Sequence, residues 1–323
     1  MEPKTVCIIG GTGFVGNYIA NRLGRRGDQV RVLTRRRERK RDVLSVPRLL
    51  LVETDVHDER ALMQQVSGCD VVINLAGILN EHKGPKGDAF RRVHADLPRK
   101  IVTACRRAGV KRYLHMSALG AASDAPSLYQ RTKAEGERAA LEADSDRLRV
   151  TAFRPSVIFG PGDSFLSLFA ILLRIAPGVM LLPTPDAQFK PVYVGNVAEA
   201  FVRAIDDPAG TSGKSYELCG PRIYTLRELV EYIGRTAGLR RKIVGLPDFA
   251  SRLQARILQR VPGKPYSYDN YLSSTVPNVC TDDGLAQLGI TPTPLEAVAP
   301  GYIGPYHRQD RYQDFRKEAG RQA

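Results

Sequence analysis

The run Thr5-Val6-Cys7-Ile8-Ile9-Gly10-Gly11-Thr12-Gly13-Phe14-Val15-Gly16 decides the fold. Its first five residues are mostly apolar or β-branched, the composition of a short strand buried on both faces. Glycines follow at G-x-x-G-x-x-G spacing, at Gly10, Gly13 and Gly16. Residues 14–23 then carry apolar side chains at helical spacing. Glycines between strand and helix permit a tight turn and let the backbone approach a pyrophosphate, whose charge the helix N-terminus stabilises through free N–H groups and its dipole. The context of strand before and amphipathic helix after lifts the pattern above a plain glycine turn.

Outward from this motif the strand signal repeats at residues 30–33, 49–52, 71–75, 112–116 and 148–153. Helical segments lie between, most clearly over 89–108, where Phe90, Val93, Leu97, Ile101, Ala104 and Ala108 share one face. Strands alternating with helices predict an α/β Rossmann fold, a doubly wound parallel sheet, with a smaller C-terminal substrate-side domain. The dinucleotide-binding domain is expected over 1–160, with 189–220 returning to it. The smaller region takes 161–188 and 221–310, and 311–323 form a tail. Past Pro155 glycine and proline become frequent. A helix is expected over 197–205, a strand over 215–218, and Thr225-Leu226-Arg227-Glu228 reads as a capping box opening another helix.

The chain has 323 residues and a formal net charge of +14, much of the excess in the run Arg35 to Arg41. A basic surface attracts phosphates and anionic surfaces. No nucleic-acid-binding motif accompanies the run, so no nucleic-acid partner is expected. The five cysteines, Cys7, Cys69, Cys105, Cys219 and Cys280, show no C-x-x-C spacing and lie in or near apolar runs. They are expected to be reduced, buried thiols in a cytoplasmic compartment. No metal site is expected from them or the five histidines. The apolar stretch 165–183 is interrupted by Arg174 and Pro177 and does not read as a membrane span; it reads first as a core helix followed by a buried loop or strand, with the lining of an apolar substrate cavity or contact with a membrane surface as the alternative.

At the end of the second strand an acidic residue would bind a ribose 2′-hydroxyl and repel a 2′-phosphate. Here stand Thr34-Arg35-Arg36. Arginine matches phosphate with a bidentate fork, so NADP(H) is expected in preference to NAD(H). Tyr129-Gln130-Arg131-Thr132-Lys133 is a Y-x-x-x-K motif. On a helix, residues four apart share a face, and the lysine charge would lower the tyrosine pKa and equip it for proton exchange.

With these motifs in this order the chain resembles the extended and atypical short-chain dehydrogenase/reductases over nearly its whole length. The resemblance implies cofactor contacts from Gly10, Thr12, Gly13, Phe14, Val15 and Gly16, from Arg35 and Arg36, and from Asp55 and Val56 beside the adenine. It implies further contacts from the turn Leu75, Ala76 and Gly77, from Ser117, Tyr129 and Lys133, and from Pro155 and Val157 beside the nicotinamide. Tyr129 and Lys133 are the implied catalytic pair. His94 stands where relatives often carry Asn, and Asn196 where they usually carry Asp. The catalytic serine's place is taken by Ala118, with Ser117 one residue earlier, turned in an extended segment to the other face. Loss of such a donor costs on the order of a hundred- to a thousand-fold in rate.

Within the superfamily the chain resembles the group containing the nucleotide-binding accessory subunit of respiratory complex I. That implies an NAD(P)H-binding structural, assembly or redox-sensing component linked to complex I or ubiquinone biosynthesis, cytoplasmic and peripheral on the inner face of the membrane. The alternative is an active NADPH-dependent oxidoreductase, epimerase or dehydratase on a small apolar carbonyl compound.

Overall fold

The computed structural model describes residues 2–35, 45–81, 87–261 and 266–304. Arg36 and the tail 311–323 lie outside them. Seven strands form one parallel sheet: β1 (Thr5–Ile9), β2 (Gln29–Thr34), β3 (Leu49–Glu53), β4 (Val71–Asn74), β5 (Arg112–Met116), β6 (Arg149–Pro155) and β7 (Lys214–Leu218). Their order is β7-β6-β5-β4-β1-β2-β3. This is a Rossmann-like α/β fold, as the alternation of strand and helix signals predicts.

The order reverses between β1 and β4. After β1 the chain enters α1 (Phe14–Arg26), which packs on one face with α6 (Val194–Asp206). The opposite face carries α2 (Glu59–Val66), α3 (Leu97–Ala108) and α4 (Leu128–Leu141). Alternation along β1 serves both: Val6 and Ile8 join Ile19, Leu23, Val197 and Phe201, whereas Cys7 and Ile9 join Leu62, Ile101, Cys105 and Ala140. Chains leaving adjacent strands toward opposite faces open a crevice at their carboxyl ends.

The helix expected over 89–108 runs uninterrupted from Asp88 to Ala108 but carries a π-helical turn. A turn at Asp88–Arg91 passes into a π-helical turn at Arg92–Asp96 before α3 begins. Pro98 sits in the first turn of α3, where its missing N–H is tolerated. Across the bulge α4 comes so close that a Cβ at Gly136 would lie 1.8 Å from the His94 carbonyl oxygen. Arg112 pins the far edge of the sheet from inside: its guanidinium donates to the Ala204 carbonyl at 2.9 Å and to the Thr151 and Thr211 hydroxyls at 2.7 Å each.

A third apolar cluster lies beyond β6. It is built on α5 (Phe165–Ile175), α7 (Leu226–Thr236) and the paired strands Val179–Leu182 and Lys242–Gly245. Thr225 and Glu228 form the expected capping box. The stretch 165–183 departs from its reading. Leu166, Leu173 and Leu182 are buried, but Ile171, Ile175, Val179 and Leu181 are exposed, because helix and strand each pack only one face on the cluster.

The expectation of five reduced cysteines also fails. Cys219, just after β7, is disulfide-bonded to Cys280, while Cys7, Cys69 and Cys105 are free and buried. The two half-cystines are 61 residues apart and meet because the segment around Asn278 returns to the carboxyl edge of the sheet. The ground for inferring a reducing compartment is thereby removed. No helix of the described residues is long and apolar enough to cross a membrane.

Candidate functional site

Two loops meet at the crevice. Gly10 leaves β1 at φ +80°, and a Cβ there would lie 2.9 Å from the Leu75 carbonyl carbon after β4. Only glycine meets both demands without strain. Gly16 lies within α1 against the same turn, where a Cβ would sit 2.5 Å from the Gly11 Cα. The Gly13 N–H donates to the Gly10 carbonyl at 3.0 Å, closing the turn. Gly13 caps α1 without a side-chain bond, and no acidic residue stands in the first helical turn. Those first-turn amides and the positive end of the helix dipole are therefore open to an anion. Thr12 and Phe14 are half-buried around them and Val15 is buried.

The second wall is Leu75-Ala76-Gly77. Asn74 holds it by accepting the Ala76 N–H on its side-chain oxygen at 3.1 Å. A Cβ at Gly77 would lie 3.5 Å from the Lys133 Nζ and 3.8 Å from the His94 Nε2, so this turn borders the Y-x-x-x-K face of α4. At the start of α4, Ser117 follows β5 on one side, and on the other Asp269 accepts the Leu128 N–H at 2.8 Å and the Tyr129 N–H at 3.1 Å. Asp269 belongs to α9 (Tyr268–Ser274), which α8 (Asp248–Leu258) precedes, so a helix 140 residues further along the chain helps seat Tyr129.

Lys133 is buried and its ammonium donates to the Met116 carbonyl at 3.0 Å. Burial holds it down at about 8, with Glu137 one turn on pulling the other way. Glu137 is itself clamped by the Arg154 guanidinium at 2.7 Å. Tyr129 is half-buried, and burial pushes its phenol up to about 12. The expected lowering by Lys133 is not found: the lysine reaches the Met116 carbonyl, and desolvation sets the tyrosine shift. The Tyr129 phenol therefore keeps its proton near neutral pH, whereas the Lys133 ammonium exchanges its own close to that range.

His94, read at first only as a departure from Asn, is built into this wall. Its Nε2 accepts the Ile78 N–H at 3.1 Å, and Nδ1 lies 3.1 Å from the Thr132 hydroxyl. It stacks on Phe90 and meets Tyr129 edge-on, with ring centroids 5.3 Å apart. Burial, then the charges of Lys133 and His115, push it down to about 2. A neutral imidazole protonated on Nδ1 satisfies both bonds.

Ser117 and Ala118 are both buried, and the Ser117 Oγ has no hydrogen-bond partner among the described residues. Pro155 ends β6, and Val157 follows it two residues on. Asn278 straps them: its side-chain oxygen accepts the Ser156 hydroxyl at 2.6 Å and the Val157 N–H at 3.1 Å. Sequence reading missed Asn278, which is 121 residues from Val157 and carries no local signal. Arg35 is exposed at the end of β2, and Asp55, exposed after β3, accepts the His57 N–H at 2.9 Å. Val56 is partly buried against the apolar cluster that includes Ile9, Leu33 and Leu62. Asn196, in place of the usual Asp, bridges the Thr291 carbonyl and the Thr293 N–H.

A family model described as the NAD dependent epimerase/dehydratase family matches residues 6–219, from β1 to just past β7. The chain belongs to that family. It is also 33% identical to NADH dehydrogenase [ubiquinone] 1 alpha subcomplex subunit 9, mitochondrial, of Mus musculus, over 90% of this chain and 77% of that protein. Among solved structures it resembles UDP-glucose 4-epimerase from Thermotoga maritima with UDP-glucose, with TM-score 0.71, 18% identity and coverage of 95% and 99%. It also resembles MoeE5 in complex with UDP-glucuronic acid and NAD, with TM-score 0.63, 21% identity and coverage of 75% and 85%. At such identities these structures establish the fold alone. The chain is a nucleotide-binding protein of the NAD-dependent epimerase/dehydratase type, related to the complex I subunit.

Proposed function

We propose that this protein holds NADP(H) as a structural, assembly or redox-sensing component of a membrane-associated respiratory or quinone-biosynthesis complex, peripheral to the membrane, rather than turning substrate over rapidly. The observation that carries this reading is a complete dinucleotide crevice joined to an incomplete proton-transfer set. Gly10, Thr12, Gly13, Phe14, Val15 and Gly16 cradle the pyrophosphate, and Leu75, Ala76 and Gly77 form the facing wall. Asp55 and Val56 flank the adenine. Tyr129 and Lys133 hold the nicotinamide ribose, with Pro155 and Val157 beside the ring. Ala118, at the serine position, offers no hydroxyl, and the Ser117 Oγ is sealed away from solvent.

Arg35, exposed at the end of β2 where an acid would favour NAD(H), supports NADP(H). Arg36 is assigned with it on sequence alone. The mouse relative's name, a subunit of NADH dehydrogenase, supports the kind of complex. When bound, the dinucleotide supplies hydride chemistry, and this chain's part is to bind it, exclude water and hold a proton on the Tyr129 oxygen.

The second reading, a reductase, epimerase or dehydratase on a small apolar carbonyl compound, is favoured by Lys133 and His94 bordering Gly77, with Tyr129 edge-on to the His94 ring. Native co-purification separates the two. Recovery with respiratory or quinone-synthesis proteins and bound NADP(H) supports the first. Free protein that consumes NADPH with a carbonyl panel, and loses this in Tyr129→Phe, overturns it.

A further inference from the structure

Eight of the twelve large apolar side chains exposed among the described residues lie on α5, on the strand Val179–Leu182, and on or just past α8. On α8, Phe249, Leu253 and Ile257 recur every fourth residue and are 72%, 57% and 54% exposed, with Val261 exposed just past the helix end. Residues four apart form one stripe along a helix. The paired strands before it add exposed Val179 and Leu181, and α5 adds Ile171 and Ile175. The charge beside this surface is one-sided. Between residues 235 and 261 stand Arg235, Arg240, Arg241, Lys242, Arg252, Arg256 and Arg260 against Asp248 alone. Asp248 is itself occupied, by the Arg252 guanidinium at 3.0 Å and the Tyr271 hydroxyl. Arg252 and Arg256 immediately precede Leu253 and Ile257, and each is held over an aromatic ring of α9.

We propose that α8 and the basic segment leading into it dock on an anionic lipid bilayer. An apolar stripe bordered by arginines is the pattern of a helix lying in a membrane interface, its apolar side chains in the acyl boundary and its cations among the headgroups. A second copy of the chain is a poorer occupant. A two-fold contact sets the same patch against itself and would bring two basic surfaces together. The inference deepens the peripheral placement proposed above by naming the lipid chemistry and the face that meets it. Its test needs no respiratory partner, so the two fail separately.

The test is vesicle flotation of the full chain. Vesicles of phosphatidylcholine with about a third phosphatidylglycerol should bind at least about tenfold more protein than pure phosphatidylcholine, and 0.5 M salt should remove most of the difference. Phe249→Ser with Leu253→Ser should cut binding by about tenfold or more while leaving thermal unfolding unchanged, because both side chains are exposed. Arg256→Glu with Arg260→Glu should abolish the preference for anionic vesicles. Equal or absent binding to both vesicle types overturns the proposal. So does unchanged binding by the variants, or a dimer in solution that the serine pair dissolves.

Discussion

Lys133 carries a pH signature that unfolding experiments can read. Its ammonium is buried with the Met116 carbonyl as its hydrogen-bond acceptor, and its pKa falls from 10.5 to about 8 in the folded chain. Below pH 8 folded and unfolded chains are both protonated there, and the desolvation cost is fully present. Between pH 8 and 10.5 the unfolded chain binds more protons than the folded one, so stability rises with pH. From pH 7 to 9.5 the gain attributable to this group is about 2 kcal/mol, a large part of a total that is usually 5–15 kcal/mol. Lys133→Met removes the titration. Urea unfolding of both proteins at pH 7 and pH 9.5 gives the double difference, in which groups common to both cancel. The wild-type chain should gain about 2 kcal/mol relative to the variant as pH rises. A difference independent of pH would mean that Lys133 titrates normally and is not desolvated, which would remove the physical basis assigned to the Tyr129–Lys133 pair.

Three further outcomes follow from packing. Gly16→Val forces a side chain onto the Gly11 backbone and should abolish dinucleotide binding by calorimetry while destabilising the fold by about 1–3 kcal/mol. Arg112→Leu leaves the Ala204 carbonyl and the Thr151 and Thr211 hydroxyls without their buried donor, and should cost about 3 kcal/mol in urea. Cys280→Ser opens the disulfide and should cost about 2–4 kcal/mol, with dithiothreitol lowering the melting temperature of the wild-type chain but not of the variant. Because Asn278 lies two residues away, the same change should weaken the strap on Val157 and raise local amide exchange there.

The sheet was legible because parallel strands buried on both faces leave unbroken apolar runs, as at Thr5–Ile9 and Val71–Asn74. The glycine turn was legible because close backbone approach excludes every other residue at Gly10 and Gly16. What escaped depends on distant partners. Nothing near Asn278 announces a bond to Val157, and nothing near Cys219 selects Cys280. The π-helical turn at Arg92–Asp96 preserves an apolar face over most of its length, so periodicity alone reads through it. Residues 165–183 are apolar enough for a core, yet helix and strand there each pack a single face. Charge pairing was misread at Tyr129, because spacing shows a shared helix face but not that the lysine reaches for the Met116 carbonyl.

We propose that the crevice holds a nicotinamide dinucleotide and prefers the phosphorylated form. The deciding experiment is calorimetric titration of the purified chain with NADPH and with NADH, repeated with Arg35→Ala. NADPH should bind at least about tenfold more tightly than NADH, and the substitution should erase most of that preference while leaving NADH affinity nearly unchanged. Equal affinity for the two, or an unaltered preference in Arg35→Ala, would rule out selection by Arg35, and no binding of either would rule out the crevice as a dinucleotide site.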